Sequence, residues 1–191
     1  SIIEFTSDIS SDVGETGTPP TIAHGLGVEP KWVIVKDRDG GSYPHWNVWH
    51  PYYQPDTTYL NYQLFVNVGN AANNAGWHRT DSGFTTNLFT PPRYQYNETG
   101  KSYIAYIFNE VEGYSKFGGY IGTNDVDGPY VSLGFRPAFL MLKRANDSGS
   151  WQLLDNKRNT FNSTDTYLYT PGSGTEVDGS GLSTAINVDF L

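Results

Sequence analysis

Between residues 26 and 36 the chain runs Leu-Gly-Val-Glu-Pro-Lys-Trp-Val-Ile-Val-Lys, and between 133 and 143 it runs Leu-Gly-Phe-Arg-Pro-Ala-Phe-Leu-Met-Leu-Lys. Each stretch is a glycine-proline loop feeding an unbroken apolar run. The prolines stand 137 − 30 = 107 residues apart, and each run leads past a polar loop into a segment that opens on tryptophan, residues 46–50 and 151–155. Proline disfavours helix at the preceding residue and donates no ladder hydrogen bond, so Pro30 and Pro137 belong at strand starts. The runs that follow are apolar on both pleat faces until the closing lysine, which predicts strands covered on two sides, the centre of a sandwich. The match points to an internal duplication with pseudo-repeats at about 18–70 and 120–170.

Elsewhere the pattern predicts further short strands. Residues 2–6 read as an edge strand before a polar arm, and Asp37, Asp39 and Gly40 mark a hairpin turn into the strand at 46–50. Strands are expected over 58–67, 77–80 and 83–89. The longest alternating run, 102–111, sets Ile104, Tyr106 and Phe108 on one face and Tyr103, Ala105 and Ile107 on the other, and predicts a central strand. The second half repeats loop, strand, hairpin and tryptophan strand, then adds strands at 166–170 and 185–190. About ten to twelve strands without a helix predict an all-β, two-sheet β-sandwich of jelly-roll type, with a barrel as second choice.

Composition supports this picture. Among 191 residues there are 21 Gly, 11 Pro, 14 Tyr, 10 Phe and 5 Trp, with 17% charged, a mix that favours strands and tight turns over helices. No linker-like stretch divides the chain, so residues 1–191 are read as one domain. A net charge of −8 and a pI near 4.8 argue against nucleic acid or an anionic membrane, both of which are bound through clustered Lys and Arg. No apolar segment approaches the roughly 18 residues that span a bilayer, and the first residues lack signal-peptide features, so no membrane insertion is expected. The absent initiator Met is read as a processed chain or a fragment. Cysteine is absent, which removes disulfides and thiolate chemistry and suits folding in a reducing cytosol.

The run Thr-Ile-Ala-His-Gly-Leu-Gly-Val-Glu-Pro-Lys-Trp-Val-Ile-Val-Lys at 21–36, the strand Ser-Tyr-Ile-Ala-Tyr-Ile-Phe at 102–108, Glu-Val-Glu-Gly-Tyr-Ser-Lys-Phe-Gly-Gly-Tyr at 110–120 and Gly-Phe-Arg-Pro at 134–137 carry a resemblance. Together they resemble a domain found in tail-fibre and other virion proteins of marine bacteriophages, over nearly the whole chain. That domain is similar to the concanavalin-like lectin/glucanase sandwiches, whose members bind or cleave glycans. The resemblance implies a phage surface module, receptor-binding in character, and brings no agreed catalytic residues. The family continues past residues 189–191 into a further Gly-Phe strand that this chain does not show.

Three constellations carry candidate chemistry. Trp49, His50, Tyr52 and Tyr53, with Trp77 and His78 and with Tyr94 and Tyr96 as neighbours, form an aromatic cluster suited to glycan: sugar C–H faces stack on rings while imidazole and amide groups bond the hydroxyls. Trp46 has a counterpart in Trp151 and reads as a fold residue. Glu110 and Glu112, at i and i+2 of the expected strand, would project from one face roughly 6.5 to 7 Å apart, a spacing that serves glycoside hydrolysis. The glucanase pattern has a further carboxylate near its two glutamates, where this chain has Val111 and Gly113-Tyr-Ser. Asp37, Asp39, Asp125 and Asp127 could gather oxygens around calcium, though they fall short of six ligands; otherwise no cofactor is expected. His24, His45, His50 and His78 show no zinc spacing.

The expected function is a virion surface module, a tail fibre or appendage assembled in the host cytoplasm, binding a host cell-surface glycan without catalysis. Other virion proteins are expected partners, and so are further copies of the chain, a trimer among the options. The alternatives are a purely structural capsid or tail decoration and a glycan depolymerase using Glu110 and Glu112.

Overall fold

The computed structural model describes residues 1–8, 21–40, 44–53, 62–72, 84–92, 98–123, 125, 128–158, 164, 166–172 and 176–178. Within them the fold is an all-β sandwich of antiparallel sheets, and the only helical element is a 3-10 turn at Pro51–Tyr53. Among the described residues no helix is long and apolar enough to cross a membrane. The expected strands at 77–80 and 185–190 lie outside the described residues, and of those at 58–67 and 83–89 the structure describes Leu64–Phe65 and Leu88–Phe89 as strand.

In chain order the strands are β1 (Ile2–Thr6), β2 (Ile22–Ala23), β3 (Trp32–Asp37), β4 (Trp46–Trp49), β5 (Leu64–Phe65), β6 (Leu88–Phe89), β7 (Ser102–Phe108), β8 (Phe139–Leu142), β9 (Trp151–Asp155), β10 (Thr166–Thr170) and β11 (Val177–Asp178). Five form one sheet in the order β1-β7-β3-β4-β5, four form a second in the order β11-β10-β9-β8, and β2 pairs with β6. β1 is at an edge, as its sequence predicts, and β7 and β3 run through the middle, paired from Trp32 opposite Phe108 to Asp37 opposite Tyr103.

The two-sided apolarity of β3 has a direct structural counterpart. Val33 and Val35 are fully buried on one face with Tyr103, Ala105 and Ile107 of β7 and Trp49 of β4, and Phe84, Phe89, Ile22 and Leu26 cover them. On the opposite face Trp32 and Ile34 pack with Val48, Leu64 and Val66, where Trp151 and Met141 arrive from the second sheet. His24, buried under the first layer, bonds the Thr85 carbonyl through Nε2 at 3.0 Å and accepts the Leu26 N–H at Nδ1, so it serves the fold. Tyr103 accepts the Glu98 N–H at 2.7 Å, and burial pushes its hydroxyl up to about 12.

The repeated stretch recurs in backbone geometry. Gly27 and Gly134, each three residues before its proline, take left-handed φ values of 73° and 76°, which an L side chain adopts only under strain. In the first hairpin Lys36 faces Trp46. In the second, Leu142 faces Gln152, one residue after Trp151. The burial of the two copies differs. Where β3 is central, β8 is the last of the described strands in its sheet, with Phe139 exposed and the following residues half-buried. Among the described residues β3 therefore lies at a sandwich centre, with a layer packed on each face, whereas β8 pairs with β9 alone and is less deeply covered.

Candidate functional site

Three chain segments converge where β3 begins and β4 and β7 end. The antiparallel register brings Trp32 beside Phe108 and Val33 beside Trp49, and the Lys31 N–H bonds the Phe108 carbonyl at 2.9 Å. Beyond Trp49 the chain turns through His50 into the 3-10 turn at Pro51–Tyr53. Beyond Phe108 it makes a tight reversal closed by a bridge between Val111 and Ser115, with Gly113 at φ 73°. It then returns with Phe117 inserted against Trp32 (ring centroids 5.4 Å apart, edge on) and Phe108 (6.1 Å).

These segments make an aromatic rim with polar groups set into it. The Tyr52 ring is 54% exposed and lies directly on Gly119, where an added Cβ would land inside the ring. His50 is buried, meets Trp32 edge on at 6.3 Å, and accepts the Tyr52 N–H at Nδ1 at 2.9 Å, which leaves its hydrogen on Nε2. Burial pulls the His50 pKa down to about 4; Glu110 nearby opposes that shift and Lys31 adds to it. The imidazole is therefore neutral at pH 7. Glu110 accepts the Phe117 N–H at 3.2 Å and so fixes the returning chain. The Trp32 indole N–H is buried without a partner among the described residues, a donor that such sites satisfy with water or ligand.

The structure distributes the expected site residues unevenly. His50 and Tyr52 come together at the rim, with Glu110 beside them. Trp49 does not: it is 1% exposed and stacked on Phe84 at 3.8 Å in the core, because alternation along β4 turns it to the covered face. Tyr53 belongs to the 3-10 turn, while Trp77, His78, Tyr94, Tyr96 and Asp127 lie outside the described residues. Trp46, expected as a fold residue, is half-buried on the opposite face, near-parallel to Tyr106 at 6.1 Å. Sequence reasoning did not find Trp32, Phe117 and Gly119. Trp32 reads as an ordinary core-strand residue, and the other two sit in an irregular segment with no periodicity to mark them.

The paired-carboxylate geometry changes. β7 ends at Phe108, Glu110 follows outside the strand, and Glu112 sits in the reversal between Val111 and Ser115, so the two do not share a strand face. The glycine after Glu112 enforces that turn. The acidic turn residues are engaged in local bonding: Asp37 Oδ1 accepts the Asp39 and Gly40 N–H groups at 2.7 and 3.1 Å. Asp39 Oδ2 accepts the Ser102 N–H at 2.7 Å, a bond that draws its pKa below the usual carboxylate value. Among the described residues no group of three or more His, Asp or Glu side chains gathers where a metal ion could sit.

A family model described as a domain of unknown function, DUF7483, matches residues 6–191. The chain belongs to the DUF7483 family. Neither the curated proteins nor the solved structures contain a match to it. The family match covers the aromatic rim and both copies of the glycine-proline stretch within a single DUF7483 domain.

Proposed function

We propose that this DUF7483 domain is a surface module of a phage virion, a tail fibre or appendage, that contacts host-surface glycan through the aromatic rim without catalysing a reaction. The observation that carries the reading is the exposed Tyr52 ring seated against Gly119 beside a neutral, buried His50. A ring fixed in that way offers its face to sugar C–H groups at little cost in side-chain entropy, and neighbouring polar groups bond hydroxyls. The resemblance to phage virion domains supports the setting. Glycan-array and host-cell binding by the purified chain test it: binding by the wild type that falls at least about 10-fold in Tyr52→Ala supports the reading. Absence of binding, or binding unchanged in that variant, overturns it.

A second reading, a structural capsid or tail decoration working through lateral contact with other virion proteins, is favoured by the large apolar side chains left exposed at Tyr114, Ile121 and Tyr130. It predicts particle incorporation that survives Tyr52→Ala.

A further inference from the structure

The chain leaves β7 through the Val111 to Ser115 reversal and does not re-enter a sheet until Phe139. Apart from Asp125, and from Gly119 beneath the Tyr52 ring, no described residue from 118 to 131 has a hydrogen-bond, ion-pair or ring partner among the described residues. The large apolar side chains of this arm face solvent: Tyr130 is 91% exposed, Ile121 84% and Tyr114 79%, with Tyr120, Val131 and Phe139 also open. Single exposed apolar residues are ordinary on a protein surface, but a run of them along one segment marks a contact surface.

Area, charge and strand geometry together indicate what covers it. The exposed parts of Tyr114, Tyr120, Ile121, Tyr130, Val131 and Phe139, set against about 150–250 Å² for a whole aromatic ring, supply on the order of several hundred Å² of the roughly 800 Å² per partner of a stable interface. Within residues 114–139 Lys116 and Arg136 balance Asp125 and Asp127, although the whole chain carries −8. Two copies repel one another over most of their surface and least along this neutral arm. The arm leads into β8, which among the described strands is paired only with β9, a position suited to pairing with a further strand.

We propose that Tyr114 and residues 120–123 and 128–139 are the surface through which copies of this chain associate, the arm and β8 of one copy meeting the same elements of the next in a closed oligomer. The test is sedimentation equilibrium of the 191-residue chain and of the double variant Ile121→Asp, Tyr130→Asp, with Ile2→Asp on the exposed β1 edge as control. The wild type and the control give a multiple of 21.2 kDa. The double variant keeps its far-UV circular dichroism and melting temperature at low concentration, and its dissociation constant rises at least about 10-fold. A wild type that stays monomeric at its highest soluble concentration overturns the proposal. Assembly that persists in the double variant, or is lost in the β1 control, overturns it as well.

Discussion

Trp151 donates its indole N–H to the carbonyl of Phe65 at 2.7 Å, a buried bond between the first strand position of β9 and the last of β5. The same indole stacks on Trp32 at 5.8 Å, and close by the Thr170 hydroxyl bonds the Val66 carbonyl while Gly149 N–H bonds Gly69 O at 2.7 Å. The two sheets are thus joined at one end by a tryptophan bonded and stacked at once. Trp151→Phe keeps most of the stacking and removes the indole bond to the Phe65 carbonyl, a loss of about 0.5–1.5 kcal/mol. Trp151→Ala also opens a cavity and costs about 3–5 kcal/mol. Urea denaturation of both variants checks the order.

Trp49 and Tyr52, three residues apart, should behave oppositely. Trp49→Ala removes a core ring stacked on Phe84 and is expected to destabilise by about 3–5 kcal/mol. Tyr52→Ala, at an exposed ring, should change stability by less than about 0.5 kcal/mol while lowering glycan binding. Gly119→Ala displaces the ring from its seat and should weaken binding in the same direction. Thermal melts alongside the array separate the effects.

His50 links stability to pH. Its pKa is about 4 in the fold against an ordinary 6.5, so between these values the unfolded chain binds more protons and stability rises with pH. The contribution is complete above about pH 6.5 and is lost as the pH falls to about 4; the shift corresponds to roughly 3 kcal/mol at most. His50→Asn, which retains an acceptor for the Tyr52 N–H, should flatten that part of the stability profile. Denaturant midpoints of both proteins between pH 4 and 7 would reveal an unchanged slope if His50 were not responsible.

Gly27 and Gly134 hold matching left-handed backbone in open space. Alanine at either meets no clash, so its cost is conformational strain alone, about 1–2 kcal/mol. Similar losses at both positions, measured by thermal unfolding, are expected of two loops built alike; a loss at one only would separate them.

How much of this was legible beforehand varies with the residue. The strands at 2–6, 151–155 and 166–170 and the two tryptophan hairpins follow from local pattern, because alternation, proline and left-handed glycine act over a few residues. The central place of β7 follows from its length. Of the rim, His50 and Tyr52 were visible as unrepeated polar and aromatic residues after a strand. Trp32, Phe117 and Gly119 were not, because their roles arise from contacts between segments far apart in the chain.

The sequence by itself determined which positions along each strand share a face, where most of the turns fall, and the all-β class of the described fold. Only the tertiary structure decided which face received a covering layer. Trp46 and Trp49 lie on opposite faces of one strand, and nothing local says that Phe84 will bury the second while the first stays half-open beside Tyr106. β3 and β8 are equally apolar, yet among the described strands β3 has a neighbour on each side and β8 has one. Alternation reports the period of the backbone, whereas burial depends on what the rest of the chain brings to each face.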